Sequence, residues 1–238
     1  MITTDIDSKT KVNSFWPDIK IVVISVDKSM HGAQKYSHAG YVRLVIRRTQ
    51  ILMALLENDI ETFMFEVDCL WIRNSVPLLH SHGGQYDIVF NGVSNRGQTI
   101  NGGFLYLFPT QPTKDVFAEL NKMLLRLDLK LQKLPPGKPI SERENDQVYL
   151  SKLVFKKFAE IKIKIFSMAE FADGKWYSLS QKVKDKSNPY LINFNWIIGN
   201  SNKIARAKKW GHWFIKEDNS CDAEQVSKIV DNWAAEHK

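Results

Sequence analysis

The feature that most limits what this chain can become is a change of hydrophobic period between residues 19 and 65. Ile19–Val26 (IKIVVISV) is a β-branched run ending at Asp27, the look of a buried parallel strand. Gly32–Gly40 is loop-like. From Tyr41 to Leu56 the apolar residues Leu44, Val45, Ile51, Leu52, Leu55 and Leu56 recur with helical spacing. Arg43, Arg47 and Arg48 fall largely on the other face or beside that stripe. Glu57–Glu61 breaks the pattern, and Thr62–Phe65 (TFMF) reads as a second core strand. Strand, helix and strand in that order argue for an α/β fold.

The remainder continues the alternation. Gln85–Asn91 and Gly103–Phe108 (GFLYLF) read as short strands, Lys114–Leu131 as a helix closed by Pro135-Pro136-Gly137, Asn145–Phe158 as a further helix and Lys162–Phe166 as a strand. No internal repeat or long linker is visible, so the expectation is one domain with a mainly parallel central sheet. A length of 238 residues is enough to bury a sizeable core.

Composition removes several classes of protein. With 44% hydrophobic and 25% charged residues, Gly 12 and Pro 8, the chain is not collagen-like, low-complexity or disordered. Two cysteines, Cys69 and Cys221, rule out a disulfide-dense scaffold; they permit one bridge without demanding it. No Cys/His spacing of the zinc type occurs. Met1–Lys20 lacks a basic segment followed by an apolar one, and the longest apolar runs, such as Ile51–Leu56 and Ile21–Val26, are too short to cross a bilayer. As written, the chain reads as soluble.

The formal charge of +7 is unevenly spread. Residues 1–150 carry 17 basic and 16 acidic side chains, residues 151–216 carry 14 and 4, and the tail from 217 onward carries 2 and 6. A basic segment of that kind favours an anionic partner such as a phosphate, nucleotide, nucleic acid or acidic membrane; a solvated lysine-rich surface is the plain alternative. No RNA-binding motif accompanies the charge, so a nucleic-acid partner is not expected.

Thr62–Phe65 runs straight into Glu66-Val67-Asp68. Ligands of α/β sheets sit beyond the carboxyl ends of the strands, and carboxylates held there can bind Mg²⁺ or Mn²⁺ bridging a diphosphate. Strand alternation would point Glu66 and Asp68 the same way and turn Val67 into the core. Acid-x-acid alone is equally a solvated loop after a strand.

Several segments place this motif in context. FMFEVDCLWIRNSVP, Phe63 to Pro77, resembles the aspartate-x-aspartate segment of the nucleotide-diphospho-sugar transferase family that includes plant rhamnogalacturonan xylosyltransferases. Upstream, Tyr41, Leu44, Arg48 and Leu55-Leu56 resemble that family's cation-bearing helix. Downstream, Asn101-Gly102-Gly103-Phe104 resembles its Asn-x-Gly-Phe segment and Asn145-Asp146-Gln147 its Asp-Gln motif. Asn193-Phe194-Asn195-Trp196, Gly199 and Lys203 resemble its closing His-x-Asn, Gly and Lys segment. Together these cover roughly residues 19–214, in the family's order.

The resemblance implies a Rossmann-like GT-A glycosyltransferase fold and an enzyme that moves a sugar from a nucleotide-diphosphate donor to a glycan or glycoprotein acceptor, retaining the anomeric configuration with the help of Mn²⁺ or Mg²⁺. It implies metal ligands at Glu66, Asp68 and Asn193, donor binding by Arg48, Gly102, Gly103 and Lys203, and catalytic or sugar-positioning roles for Asp146, Gln147 and Asn101. The plain alternatives are a turn at Asn-Gly-Gly, a helix cap at Asp-Gln, core roles for Trp71, Trp196, Trp210 and Trp213, and an exposed loop around His80 and His82.

Three departures accompany it. Glu66 replaces an aspartate; Asn193 stands where the family has a histidine; and the family's first strand, ahead of Ile19–Val26, is expected to be missing, since Met1–Asp18 is polar and poorly strand-like. The expected organisation is a poorly structured segment at 1–18, a transferase domain at 19–216 and an acidic helix or tail at 217–238. A catalytically weak or inactive member that binds sugar or a partner is the alternative reading. Most relatives are implied to be Golgi type II membrane enzymes, and this chain shows no transmembrane segment; cytoplasmic residence is the other option.

Overall fold

The computed structural model describes residues 1–27, 30, 34–93, 98–134 and 138–236, with side chains to Ile229. In chain order the elements are β1 (Ile2–Thr3), α1 (Ile6–Phe15), β2 (Val22–Val23), α2 (Ala39–Glu57), β3 (Thr62–Phe65), β4 (Cys69–Trp71), α3 (Val76–His80), β5 (Ile88–Gly92) and β6 (Ile100–Leu107). Then follow α4 (Gln111–Leu131), α5 (Asp146–Phe155), β7 (Ile163–Phe166), β8 (Phe171–Ala172), α6 (Gln181–Lys184), β9 (Leu191–Asn193), α7 (Asn200–Lys209) and α8 (Ala223–Glu236).

The chain is α/β, arranged in layers around β6. A four-stranded sheet has the order β3-β6-β5-β7, and a three-stranded sheet the order β4-β9-β8. Alternation along β6 sends Leu105 and Leu107 to one side, where they meet Val45, Ile46 and Leu56 of α2 and Phe117, Leu120 and Leu124 of α4. It sends Phe104 and Tyr106 to the other, against Phe171 and Leu191 of the three-stranded sheet. The Phe104 and Phe171 rings lie 4.8 Å apart, both fully buried. Truncating either to alanine is expected to cost about 3–5 kcal/mol. Packing on both faces is why β6 is buried along its whole length.

The sheet differs from the mainly parallel one expected. Within the four strands, β5 and β7 run parallel, while β6 is antiparallel to both β3 and β5. Only residues 93–99 separate β5 from β6. That connection suits an antiparallel return and is too short for the dozen or more residues of a parallel crossover.

The amino-terminal expectations also change. Of Ile19–Val26 only Val22–Val23 forms a strand, and only Ile21 of that run is buried. It pairs in parallel with Ile2–Thr3, apart from the larger sheets, so a short strand does precede it. Residues 1–18 carry structure as well: Asp5 caps α1 by accepting the Ser8 N–H at 2.6 Å. Pro135-Pro136-Gly137, expected to close α4, and residues 31–33 of the expected loop lie outside the described residues. Cys69 and Cys221 are both free.

Candidate functional site

The site grows from the point where the chain leaves one sheet for the other. Glu66 continues the ladder one residue past β3, its N–H donating to the Gly103 carbonyl at 2.9 Å. Two residues later the Asp68 carbonyl accepts the Phe194 N–H at 2.9 Å, which starts β4 against β9. Between these anchors the backbone swings outward and Val67 is 93% exposed. The expectation that Val67 turns into the core is therefore corrected: alternation stops at Phe65 because the next pairing belongs to another sheet.

Gly102 and Gly103 make room for the side chains around them. A β-carbon on Gly103 would lie 2.5 Å from Oε2 of Glu66, and one on Gly102 would lie 3.1 Å from Cβ of Gln147. The Gly102 N–H donates to Oε1 of Gln147 at 3.0 Å. Asn-Gly-Gly is thus strand rather than turn, placed inside β6. Asn101 is buried; its Oδ1 accepts the Gly103 N–H at 3.0 Å while its Nδ2 has no hydrogen-bond partner.

Three helices add charge. Arg48 of α2 donates to the Asp146 carboxylate at 2.5 Å. Asp146 is the first residue of α5, and the cap is Asn145, whose Oδ1 accepts the Val148 N–H at 2.9 Å. Asp146 therefore lies at the positive end of a helix dipole as well as beside a guanidinium. From α7, Lys203 forms an ion pair with the Asp68 carboxylate. Gly199, at φ +90, begins that helix.

These groups act on one another. Burial pushes the Glu66 carboxyl above its ordinary range, the Asp68 charge adds to the rise, and Arg48 and Lys203 pull it back. Burial opposes the charge of Arg48, yet Asp146 and Glu66 raise its pKa overall. Burial and the Asp146 charge raise Tyr41. Three carboxylates and two cations thus share one neighbourhood. Glu66 and Asp68 are hard, anionic oxygen donors, the kind that suits Mg²⁺ or Mn²⁺, which retain waters and substrate phosphates as their other ligands.

Asn193, the third expected metal ligand, already has hydrogen-bond partners. It is fully buried, its Oδ1 already accepts the Asn195 N–H at 2.7 Å, and its Nδ2 faces the Cys69 sulfur at 3.5 Å. Its place directly across the ladder from Cys69 explains this: the side chain props the turn that follows β9. His80 bonds Glu61 at 2.7 Å through Nδ1 on the surface. Among the described residues no cluster of three His, Cys, Asp or Glu groups is placed to hold a metal.

The sequence reading missed the frame behind Asn193–Lys203. Trp196 has φ +61 and donates its indole N–H to the buried Asp173 at 2.6 Å. The Gly174 N–H donates to Oδ1 of Asn195 at 2.7 Å, and Arg206 donates to the Asn195 carbonyl at 3.0 Å. The Asp173-Gly174 dipeptide was the available signal, a turn signature in an otherwise apolar stretch.

Acids and cations thus gather at the carboxyl end of a strand in a mixed α/β fold, where ligands of such sheets sit. The sequence profile of the nucleotide-diphospho-sugar transferases matches residues 1–207, and the chain belongs to that family. It is 22% identical over 236 residues to a UDP-D-xylose:L-fucose alpha-1,3-D-xylosyltransferase of Arabidopsis thaliana, covering 91% of this chain and 61% of that protein. It is 24% identical over 242 residues to the xylosyltransferase MGP4 of the same plant, covering 92% and 63%. The chain thus spans about three fifths of the length of the curated relatives it matches. The crystal structure of the galactosyltransferase LgtC with donor and acceptor sugar analogs aligns over 99% of this chain at 11% identity and a TM-score of 0.42. No helix among the described residues is long and apolar enough to cross a membrane.

Proposed function

We propose that the chain is a glycosyltransferase that moves a sugar from a nucleotide-diphosphate donor to a glycan or glycoprotein acceptor, with retention at the anomeric carbon and with Mn²⁺ or Mg²⁺ held by Glu66 and Asp68. The reading rests on one observation: Glu66, Asp68, Arg48, Asp146 and Lys203 come from four elements or their ends and converge on one electrostatic neighbourhood. Glu66 and Asp68 would hold the metal, which would supply positive charge to offset that on a departing diphosphate.

The chain's own groups divide the remaining work. Arg48 and Lys203 each hold a carboxylate; when a diphosphate enters, they turn toward its phosphate oxygens. Released from Arg48, Asp146 can accept bonds from donor-sugar hydroxyls. The unpartnered Nδ2 of Asn101 supplies a donor for the same sugar, and the bare Gly102-Gly103 backbone admits it closely. Gln147 positions that backbone through the Gly102 N–H. The xylosyltransferase relatives make UDP-xylose the first donor to try and an L-fucose-bearing glycan the first acceptor. Residence in the Golgi lumen is part of this proposal.

The deciding experiment is calorimetric titration of UDP-sugars with and without Mn²⁺. Binding that needs the metal, and weakens at least tenfold in Asp68→Asn, is expected. Absence of any metal-dependent binding to the unaltered chain overturns the reading.

A further inference from the structure

Asp68 and Lys203 belong to two places at once. Besides the charged cluster, they line a cavity of about 400 Å³, within the size range of small-molecule sites. Its walls are apolar: Leu70, Phe194, Ile204, Ala207, Trp213 and Phe214. Val67 lies at the cavity too, nearly all of its surface in water, between the two candidate metal ligands. His212 also lines it, bonded through Nδ1 to the Tyr177 hydroxyl at 2.9 Å; burial keeps its imidazole neutral at ordinary pH.

A diphosphate has no use for such walls. It is satisfied by cations and a metal, whereas this space offers mainly aliphatic and aromatic surface, with Asn200, His212 and one ion pair as its polar groups. The molecule that fits both has a polar end at Asp68 and Lys203 and an apolar body behind it. In a sugar-transfer reaction the second substrate can have that form, a sugar hydroxyl presented to the donor with an alkyl or aryl group attached to the same sugar.

We propose that this cavity is the aglycone subsite of the acceptor, taking an apolar alkyl or aryl group carried by the acceptor sugar. The proposal rests on the transferase reading above. Leu70, Phe194 and Ala207 are also part of a core cluster against which Trp213 and Phe214 pack, so the walls are fixed by the fold. Ile204 and Val67 are the wall and rim residues open to change with least effect on that core.

The test measures binding of methyl and phenyl glycosides of the same sugars to the donor-free chain by ligand-observed NMR. Phenyl glycosides are expected to bind at least tenfold tighter than methyl ones, a preference lost in Ile204→Asp and reduced in Val67→Ser. Equal binding of the two, or a preference that survives both substitutions, overturns the subsite. Val67→Ser changes a side chain standing in solvent and guards against a folding failure in Ile204→Asp. Mn²⁺-dependent UDP binding is measured alongside. A chain that binds UDP without distinguishing the glycosides loses the subsite and keeps the transferase reading; a chain that distinguishes them without binding UDP keeps an apolar-ligand cavity and loses the acceptor assignment.

Discussion

The Glu66 carboxylate rests on the bare α-carbon of Gly103, so closely that a methyl group there would lie 2.5 Å from Oε2. Glutamate has one more methylene than the aspartate of the family pattern, and the missing side chain at Gly103 gives that extra length somewhere to lie. Gly103→Ala pushes on the flexible end of a side chain rather than on backbone. The expected result is a fold that survives with little loss of stability and a metal-dependent donor affinity that falls about tenfold, or about 1.4 kcal/mol. Thermal melting and calorimetry on the same variant separate the two effects.

Arg48 and Asp146 hold α2 to α5 by a partly buried ion pair. Removing the cation leaves a carboxylate short of its partner, so Arg48→Gln is expected to destabilise the chain by about 2 kcal/mol, less than for a fully buried pair. Asp146→Asn together with Arg48→Gln is expected to cost less than the sum of the single changes. Urea titration of the four proteins in the cycle reads the coupling directly.

At Gly174 the outcome differs from that at Gly103. A β-carbon would lie 2.0 Å from the Asn195 backbone oxygen, and backbone cannot rotate away as a side chain does. Gly174→Ala is expected to cost about 3 kcal/mol or more and to loosen the turn carrying Trp196. A loss of unfolding free energy of under about 1 kcal/mol in urea titration would contradict this packing.

His212 gives the fold a pH dependence. Burial pushes its pKa down to about 4, against about 6.5 in an unfolded chain. Between those values the unfolded state binds the extra proton, so stability is lost as pH falls from 6.5 towards 4, by up to about 3 kcal/mol from this group. His212→Phe removes that component; the difference between the two stability profiles across this window isolates it from the carboxylates. Parallel profiles would place the imidazole in contact with solvent.

Where the sequence was legible, one element's pattern sufficed. Thr62–Phe65 forms the strand its apolar run predicts, and α2 and α4 match their helical stripes to within a few residues, because each buries a single continuous face. The same patterns put Glu66 one residue past β3, Arg48 within α2 and Asp146 at the start of α5. Ile19–Val26 misled because a β-branched run states a preference and not a partner; only Ile21 found burial. Val67 misled because alternation cannot announce the residue at which a chain changes sheets. Asn193 sits where the family pattern puts a ligand, but its neighbours across the ladder, unknowable from one strand, turn it inward.

The two ion pairs join residues far apart in the chain, Arg48 to Asp146 across 98 positions and Asp68 to Lys203 across 135. The core beneath α2, α4 and α5 draws its buried members from no further along than Ile161. As the polypeptide leaves the ribosome, that core has all its residues before Lys203 has been added. That part of the interior can therefore form before the Asp68–Lys203 ion pair exists, and the charged cluster around Glu66 gains its second cation only once residue 203 has been made.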